Sequence, residues 1–583
     1  MADTMTILQK GTSDTSPPDV TSKGKVSNAW IPSSEPGRGP LTDALDALDS
    51  ASIPPIPFIG GSSSGRNTSR DGWRNQIETF ATTRGAPLWN LVMAIAPVRD
   101  EVNKVLTNSA INKFPHRPEP LSTKGDYTSW SSLTDKRYSS RHLEPRVASD
   151  LPPIPDVVEL FRREQFIESP KSTVLFSYFA QWFTDGFLRS DRHWDPLRNE
   201  SNHDIDLTNL YGLTPEVTDQ LRSKSGGRLK SQQIGGEEYP EYLYAGGKRR
   251  KEFDKVTVAV KRGTTEADLG AAKLKRLFAL GSDTSNLQTG FVLHNVLFLR
   301  EHNRIASELA RAYPTWDDER LFETARNIMI VLLIKIVIED YINHITPFIF
   351  KLRMAPKSFA NPPWMRANWM SVEFQLLYRW HGLVPDAYAI AGKPVAIDKT
   401  LYDTTLVTRH GLGQMFEDAS NQPAGVVGMH NTPPVLLRVE QASIEKGRGC
   451  RLASYNDYRK LARFPKVTRF DQITSSPKTR AALRDLYGHV DNIEFFAGLF
   501  AEDPRPNSVL PALIGRMVGL DAFSQVYPNP LLGPRIYNEK TFSPVGMEII
   551  DSTRTLSQIV NRNVPPISGG YFVSMTRADW KRE

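Results

Sequence analysis

A phenol and an imidazole stand three residues apart in the run Phe374-Gln375-Leu376-Leu377-Tyr378-Arg379-Trp380-His381-Gly382, which is otherwise largely aromatic and aliphatic. A tyrosine can give up one electron and a histidine can hold a metal, so the pair could join a redox metal to a radical-forming side chain. At helical spacing Phe374, Leu377, Tyr378 and His381 fall at i, i+3, i+4 and i+7 and share one face. Positions three apart on such a face have Cβ atoms about 5–6 Å apart. The same pattern also describes a core helix with one hydrogen-bonded histidine, and the segment alone does not choose between the two.

A second stretch, Leu175 to Phe187, sets Gln181 and Asp185 at i, i+4 on an otherwise apolar helix. Buried polar groups need partners, so two aligned ones serve either a shared polar ligand or an edge facing water. Common catalytic signatures are absent: the chain has no G-x-x-x-x-G-K, no H-E-x-x-H and no G-x-S-x-G. Its 11 histidines are scattered singly and its one cysteine, Cys450, cannot build a thiolate cluster. A site with a single axial histidine stays open, which is how haem is commonly held.

The elements that must position these residues are helical. Strong helical periodicity recurs at 172–190, 286–311, 317–350, 366–381 and 478–500, and Thr315-Trp316-Asp317-Asp318 reads as a capping box opening the third. Alternating strand patterns are rare, Lys255 to Val260 being the clearest. The spacing therefore predicts a mainly α chain. Residues 1–70, rich in Ser, Thr, Pro, Gly and Asp, read as a disordered tail. Residues 71–115 read as amphipathic helices that either line a channel entrance or touch a membrane, and 116–583 as the catalytic domain.

A net charge of +7, from 72 basic and 65 acidic residues, is too slight for this length to point to nucleic acid. One cysteine excludes a disulfide-stapled secreted architecture and fits a reducing compartment. Residues 1–30 carry no apolar signal segment, and the longest apolar run, Ile328 to Ile338, is interrupted by Lys335. The expectation is an intracellular protein, cytoplasmic or peripheral on a membrane, with that run as a buried core helix.

A set of collinear motifs then carries a resemblance. Leu299-Arg300-Glu301-His302-Asn303-Arg304, with Pro314-Thr315-Trp316 and Arg320-Leu321-Phe322, is similar to the animal-type haem peroxidase superfamily. Phe179-Ala180-Gln181-Trp182-Phe183-Thr184, Lys335 to Tyr341, Tyr378-Arg379-Trp380-His381 and Ala522-Phe523-Ser524 resemble its cyclooxygenase branch, over about residues 85–575. The resemblance implies a helical peroxidase-like fold with one haem b per chain. His381 matches the axial ligand of the iron, Tyr378 the tyrosine whose radical takes hydrogen from a fatty acid, and Gln181 the distal glutamine. Tyr341, Ile342, Phe374, Leu377 and Ser524 match residues of the acyl channel, and Phe348 replaces a tyrosine at its entrance. Arg300, Glu301, His302 and Arg304 read as structural ion pairs and hydrogen bonds, with a place at the haem edge for His302 as the lesser alternative.

The chain departs from that pattern in four places. Asp185 stands where the family has a distal histidine, and a carboxylate is a weaker base than an imidazole of pKa about 6.5, so peroxidase turnover should be feeble or altered. No arginine occurs at 108–111 to pair with a substrate carboxylate, leaving Lys113 and Arg516 as candidates. Phe348 lacks the hydroxyl that assists such an arginine, and Phe496 occupies the place of a tyrosine near the axial histidine. The reading that results is a haem-dependent dioxygenase acting on polyunsaturated fatty acids with molecular oxygen and a peroxide activator, with homodimerisation and membrane contact compatible with it. The alternatives are a general haem peroxidase of small donors and a non-catalytic haem- or lipid-binding protein.

Overall fold

A computed structural model of the chain describes residues 93–112 and 129–582, apart from 136, 147–149, 190–194, 196, 261–263, 360–361, 363 and 366. The expected tail over 1–70 and most of the 71–115 stretch lie outside the described residues, as does Lys113.

The fold is mainly helical, with two-stranded antiparallel ribbons as its only sheets among the described residues. Its centre is the helix Thr289–Ala312, buried along most of its length. Against it pack the helices Asp318–Ile336, Val174–Asp185 and Glu539–Ser552. Trp182 seals one of these contacts, its ring 5.2 Å from His294 and 4.7 Å from Phe298. The charges of the Leu299–Arg304 motif are spent inside this core. Arg300 pairs with Glu237 at 2.7 Å, and buried Glu301 takes hydrogen bonds from Arg304, Arg562 and Asn563. His302 is held on both ring nitrogens, by the Tyr211 hydroxyl at 2.8 Å and the Gly227 carbonyl at 2.9 Å, which makes it a structural pin.

Four expected elements differ. The 317–350 helix opens at Asp317, whose side chain accepts from the Arg320 amide, two residues later than the expected box. It is α-helical only to Ile336, then widens to a π turn over Val337–Ile342 and stops at Thr346, before Pro347. The 366–381 helix shrinks to Val372–Leu377. The 478–500 pattern divides into Pro477–Tyr487 and Phe495–Ala501, because Gly488 takes a positive φ of 66° that ends the first helix. Lys255 to Val260 forms no strand: among the described residues no neighbour pairs with it, and the Ala259 amide donates to the Asp283 carbonyl.

The apolar run Ile328 to Ile338 is buried throughout, as expected of a core helix. Among the described residues no helix is long and apolar enough to cross a membrane.

Candidate active site

Ser371 starts the short helix Val372–Leu377 by accepting the Phe374 amide at 2.9 Å. Tyr378 ends it with φ −99° and ψ 16°, and His381 begins a separate 3-10 turn, His381–Leu383. Tyr378 and His381 are therefore not one helical turn apart on a shared face. The chain is bent here because the residues after His381 are gripped from outside: Arg163 donates to the carbonyls of Gly382 and Val384, and Asn431 donates to Gly382 as well. Backbones approach so closely that a Cβ added at Gly425 would lie 2.0 Å from the Gly382 oxygen.

The His381 ring keeps 14% of its surface accessible. Its Nδ1 lies 3.0 Å from Glu440 Oε1, a contact distance at which the N–H does not yet point along the hydrogen-bond line. Glu440, buried to 1% exposure in the first turn of the helix Leu437–Gly449, is oriented by the Thr432 hydroxyl, which donates to Oε1 at 2.7 Å. Among the described residues no group bonds His381 Nε2, so that nitrogen is the one available as a donor to a metal.

Opposite chemistry meets on the helix Val174–Asp185. Gln181 is exposed, and its amide oxygen accepts from Gln288 at 2.9 Å. Asp185 is paired with buried Arg189 at 2.8 Å and accepts the Thr284 hydroxyl. Arg189 in turn reaches Asp283 and the Ser282 hydroxyl. Asp185 is thus a locked anion rather than a free acid. The buried guanidinium of Arg379 is depressed by burial and sustained by the charges of Asp185 and then Glu440, so it feels both sets of groups.

Tyr378 faces a third environment. Its ring packs 5.0 Å edge-on to Phe374 and 4.8 Å from Trp380. With Phe374, Tyr341 and Ile342 it walls a small cavity of ≈ 10 Å³, bounded on the far side by Ala522, Gln525 and Val526. That is room for about one water molecule and far below the roughly 300–1,000 Å³ of drug-sized ligand sites, so an acyl chain enters only if the lining side chains turn aside. The π turn Val337–Ile342 is what presents Tyr341 and Ile342 here. Burial, and next the charge of Asp521, push the Tyr378 phenol well above its ordinary pKa, so it stays protonated. Leu377, Phe348 and Ser524 do not line this cavity: Leu377 is core, Phe348 stacks on Phe350 at 5.0 Å, and Ser524 donates to the Asp521 carbonyl.

The donor set fits a metal carried by a macrocycle. Among the described residues no three His, Cys, Asp or Glu side chains gather to cage a bare ion. One imidazole with a free Nε2 is instead the requirement of an axially ligated porphyrin iron. Residues 189–569 match the family described as animal haem peroxidase. The chain belongs to that family. It is an oxidoreductase, 32% identical over 503 residues to prostaglandin G/H synthase 2 of Gallus gallus, covering 83% of this chain and 80% of that one. Among solved structures, Oryza sativa fatty acid alpha-dioxygenase shares the fold with a TM-score of 0.61 and 14% identity, over 84% of this chain and 92% of that one. Peroxidase A from Dictyostelium discoideum does so with a TM-score of 0.59 and 18% identity, over 80% and 96%.

For this haem peroxidase family member, sequence reasoning missed three groups beside the expected residues. Arg189 had a signal, since it stands four residues after Asp185, the spacing that singled out Gln181 and Asp185. Asp521 had one too: it is an acid inside the apolar run Leu513 to Val526, and it is buried against His142 at 3.2 Å and Ser371 at 3.3 Å. Glu440 had none, being brought to His381 from 59 residues away by tertiary folding alone. At the expected carboxylate anchor, Asn108 accepts from Trp364 and Ile111 is buried, while Arg516 donates to the Ala462 carbonyl over the Phe464 ring.

Proposed function

We propose that this chain is a haem-dependent dioxygenase of polyunsaturated fatty acids that works through a radical on Tyr378, with weak peroxidase turnover. The observation that carries the reading is the double setting of one short segment. Tyr378 borders an apolar cavity, while His381, three residues on, offers an unbonded Nε2 outside it. The curated relatives named prostaglandin G/H synthase support the substrate class.

His381 would hold the haem, which in the presence of a peroxide would supply a one-electron oxidant. Because its pKa is raised, Tyr378 gives up its proton together with the electron. The phenoxyl oxygen then takes a hydrogen atom from a bis-allylic methylene, forming the O–H bond and leaving a carbon radical. Molecular oxygen adds to that carbon, and the peroxyl radical recovers the hydrogen from Tyr378, giving a hydroperoxide and restoring the phenoxyl. Phe374, Tyr341 and Ile342 hold the chain against the phenol and keep water from quenching it. Asp185, tied to Arg189, does not shuttle protons between peroxide oxygens, which supports a feeble peroxidase. With no arginine at 108–111, the fatty acid binds without the usual carboxylate pair, which favours a hydroperoxide over a cyclic endoperoxide.

Oxygen uptake with linoleate and arachidonate, with mass spectrometry of the products, tests the proposal. Tyr378→Phe abolishes uptake while the Soret band of bound haem persists. Unchanged uptake in that variant overturns the mechanism, and robust oxidation of small phenols without lipid oxygenation would assign a general peroxidase instead.

A further inference from the structure

We infer that Glu440 is a positioning residue for His381: its carboxylate accepts the Nδ1 hydrogen of the imidazole, sets the ring so that Nε2 faces the iron, and strengthens Nε2 as a donor. This rests on His381 being the axial ligand, and goes beyond it by assigning the group that tunes the ligand.

Each partner brings one orphaned atom to the contact. His381 Nδ1 and Glu440 Oε2 are both buried without an aligned hydrogen-bond partner, and Oε1 of the same carboxylate sits 3.0 Å from Nδ1. A buried N–H and a buried carboxylate oxygen each lose their hydration on folding, so each is stabilised by completing the other. A rotation of the ring about its Cβ–Cγ bond aligns the N–H without moving the backbone, which Arg163 and Asn431 hold. The carboxylate cannot swing away, because the Thr432 hydroxyl anchors Oε1 at 2.7 Å. Its place in the first turn of Leu437–Gly449 also favours a negative charge there.

No other acceptor competes from the neighbouring helix. Phe496, at the position of the family tyrosine, stacks on Phe161 at 5.3 Å and meets Phe500 at 4.9 Å, and offers no polar atom. The distal side is equally constrained, since Asp185 is committed to Arg189 and Thr284. The chain therefore carries a committed acid at the family's distal-histidine position, a phenylalanine at the proximal tyrosine position and a buried carboxylate beside His381. A carboxylate on Nδ1 makes the imidazole more electron-rich and favours ferric over ferrous iron.

The test uses the full chain loaded with haem and no lipid, read by the iron–histidine stretch of the ferrous form in resonance Raman and by the one-electron midpoint potential. Glu440→Gln keeps the size and the Thr432 contact but removes the charge. It should lower the stretching frequency and weaken the preference for ferric iron about tenfold, a rise of about 59 mV for one electron. Thr432→Val, which frees the carboxylate without deleting it, should shift both readouts the same way by less. A loss of haem affinity of about 10–100-fold with circular dichroism intact supports the same role. An iron–histidine band and potential unchanged in both variants overturn the inference, whatever Tyr378→Phe does to oxygen uptake. Shifts in both readouts with a wild-type chain that oxygenates no lipid would sustain Glu440 and reject the dioxygenase.

Discussion

Replacing Asp185 separates a locked anion from a working proton carrier. In the wild type its Oδ2 accepts from Arg189 at 2.8 Å and from Thr284, and only about a quarter of the side chain meets solvent. Asp185→Asn removes a charge-assisted bond but does not orphan the guanidinium, because Asp283 and Glu200 still face it. The cost should be that of one hydrogen bond to a charged group, about 1.5–3 kcal/mol, rather than the 3–5 kcal/mol or so of an unpaired buried ion. Peroxidase turnover in Asp185→Asn should stay within about threefold of wild type, since a committed carboxylate contributes little acid–base catalysis. Asp185→His puts an imidazole at that position and should raise guaiacol oxidation by about 100-fold or more, the size of a typical general acid–base contribution. Peroxide-dependent guaiacol turnover, with a denaturant titration of each variant, measures both quantities. A drop beyond tenfold in Asp185→Asn with haem retained would show that the carboxylate does carry protons, and the reasoning from its ion pair would be wrong.

Gly425→Ala places a methyl where 2.0 Å separates the Cβ position from the Gly382 oxygen, so the turn after His381 must move. It should cost about 1–3 kcal/mol or more and lower haem retention, measured by Soret absorbance after gel filtration; full retention would mean that the turn does not set the ligand. Tyr341→Phe deletes a buried hydroxyl with no partner and should leave stability unchanged or raised by up to about 1 kcal/mol, with oxygen uptake preserved. Loss of uptake there would assign the hydroxyl a role. Acid stability follows from His294 and His302, both fully buried and held by that burial at about 4 against an ordinary 6.5. They are neutral in the fold, so the unfolded chain takes up protons first as pH falls. Their stabilisation is whole above pH 6.5 and is lost as pH drops through about 4, on the order of 3 kcal/mol for each group. Urea midpoints measured over that window should fall steeply, and His302→Gln should flatten the slope; an equal slope in the variant would place the titration elsewhere.

The helical class and the core run Ile328 to Ile338 were legible because periodicity over a dozen or more residues leaves few alternatives. Boundaries were less so, and each failure has a local cause. The π turn at Val337–Ile342 changes nothing in the pattern of apolar residues, yet it re-aims Tyr341 and Ile342 into the cavity. Lys255 to Val260 alternates like a strand and finds no neighbour to pair with among the described residues, which composition cannot foresee. Motif resemblance placed the candidate residues along the chain, but it carried no information on Arg189, Asp521 or Glu440.

The segment Phe374 to Gly382 concentrates the difference between pattern and geometry. A continuous helix would have set phenol and imidazole side by side, sharing neighbours and a dielectric environment. Ending the helix at Leu377 gives each its own surroundings instead. The phenol sits among Phe374, Trp380 and Tyr341 beside an apolar cavity, where deprotonation is suppressed. The imidazole sits against a buried carboxylate, where electron donation is enhanced. Under the proposed mechanism the two groups need different surroundings, an apolar wall for the phenol and a hydrogen-bond acceptor for the imidazole. The bend clamped by Arg163 and Asn431 lets three residues of chain satisfy both.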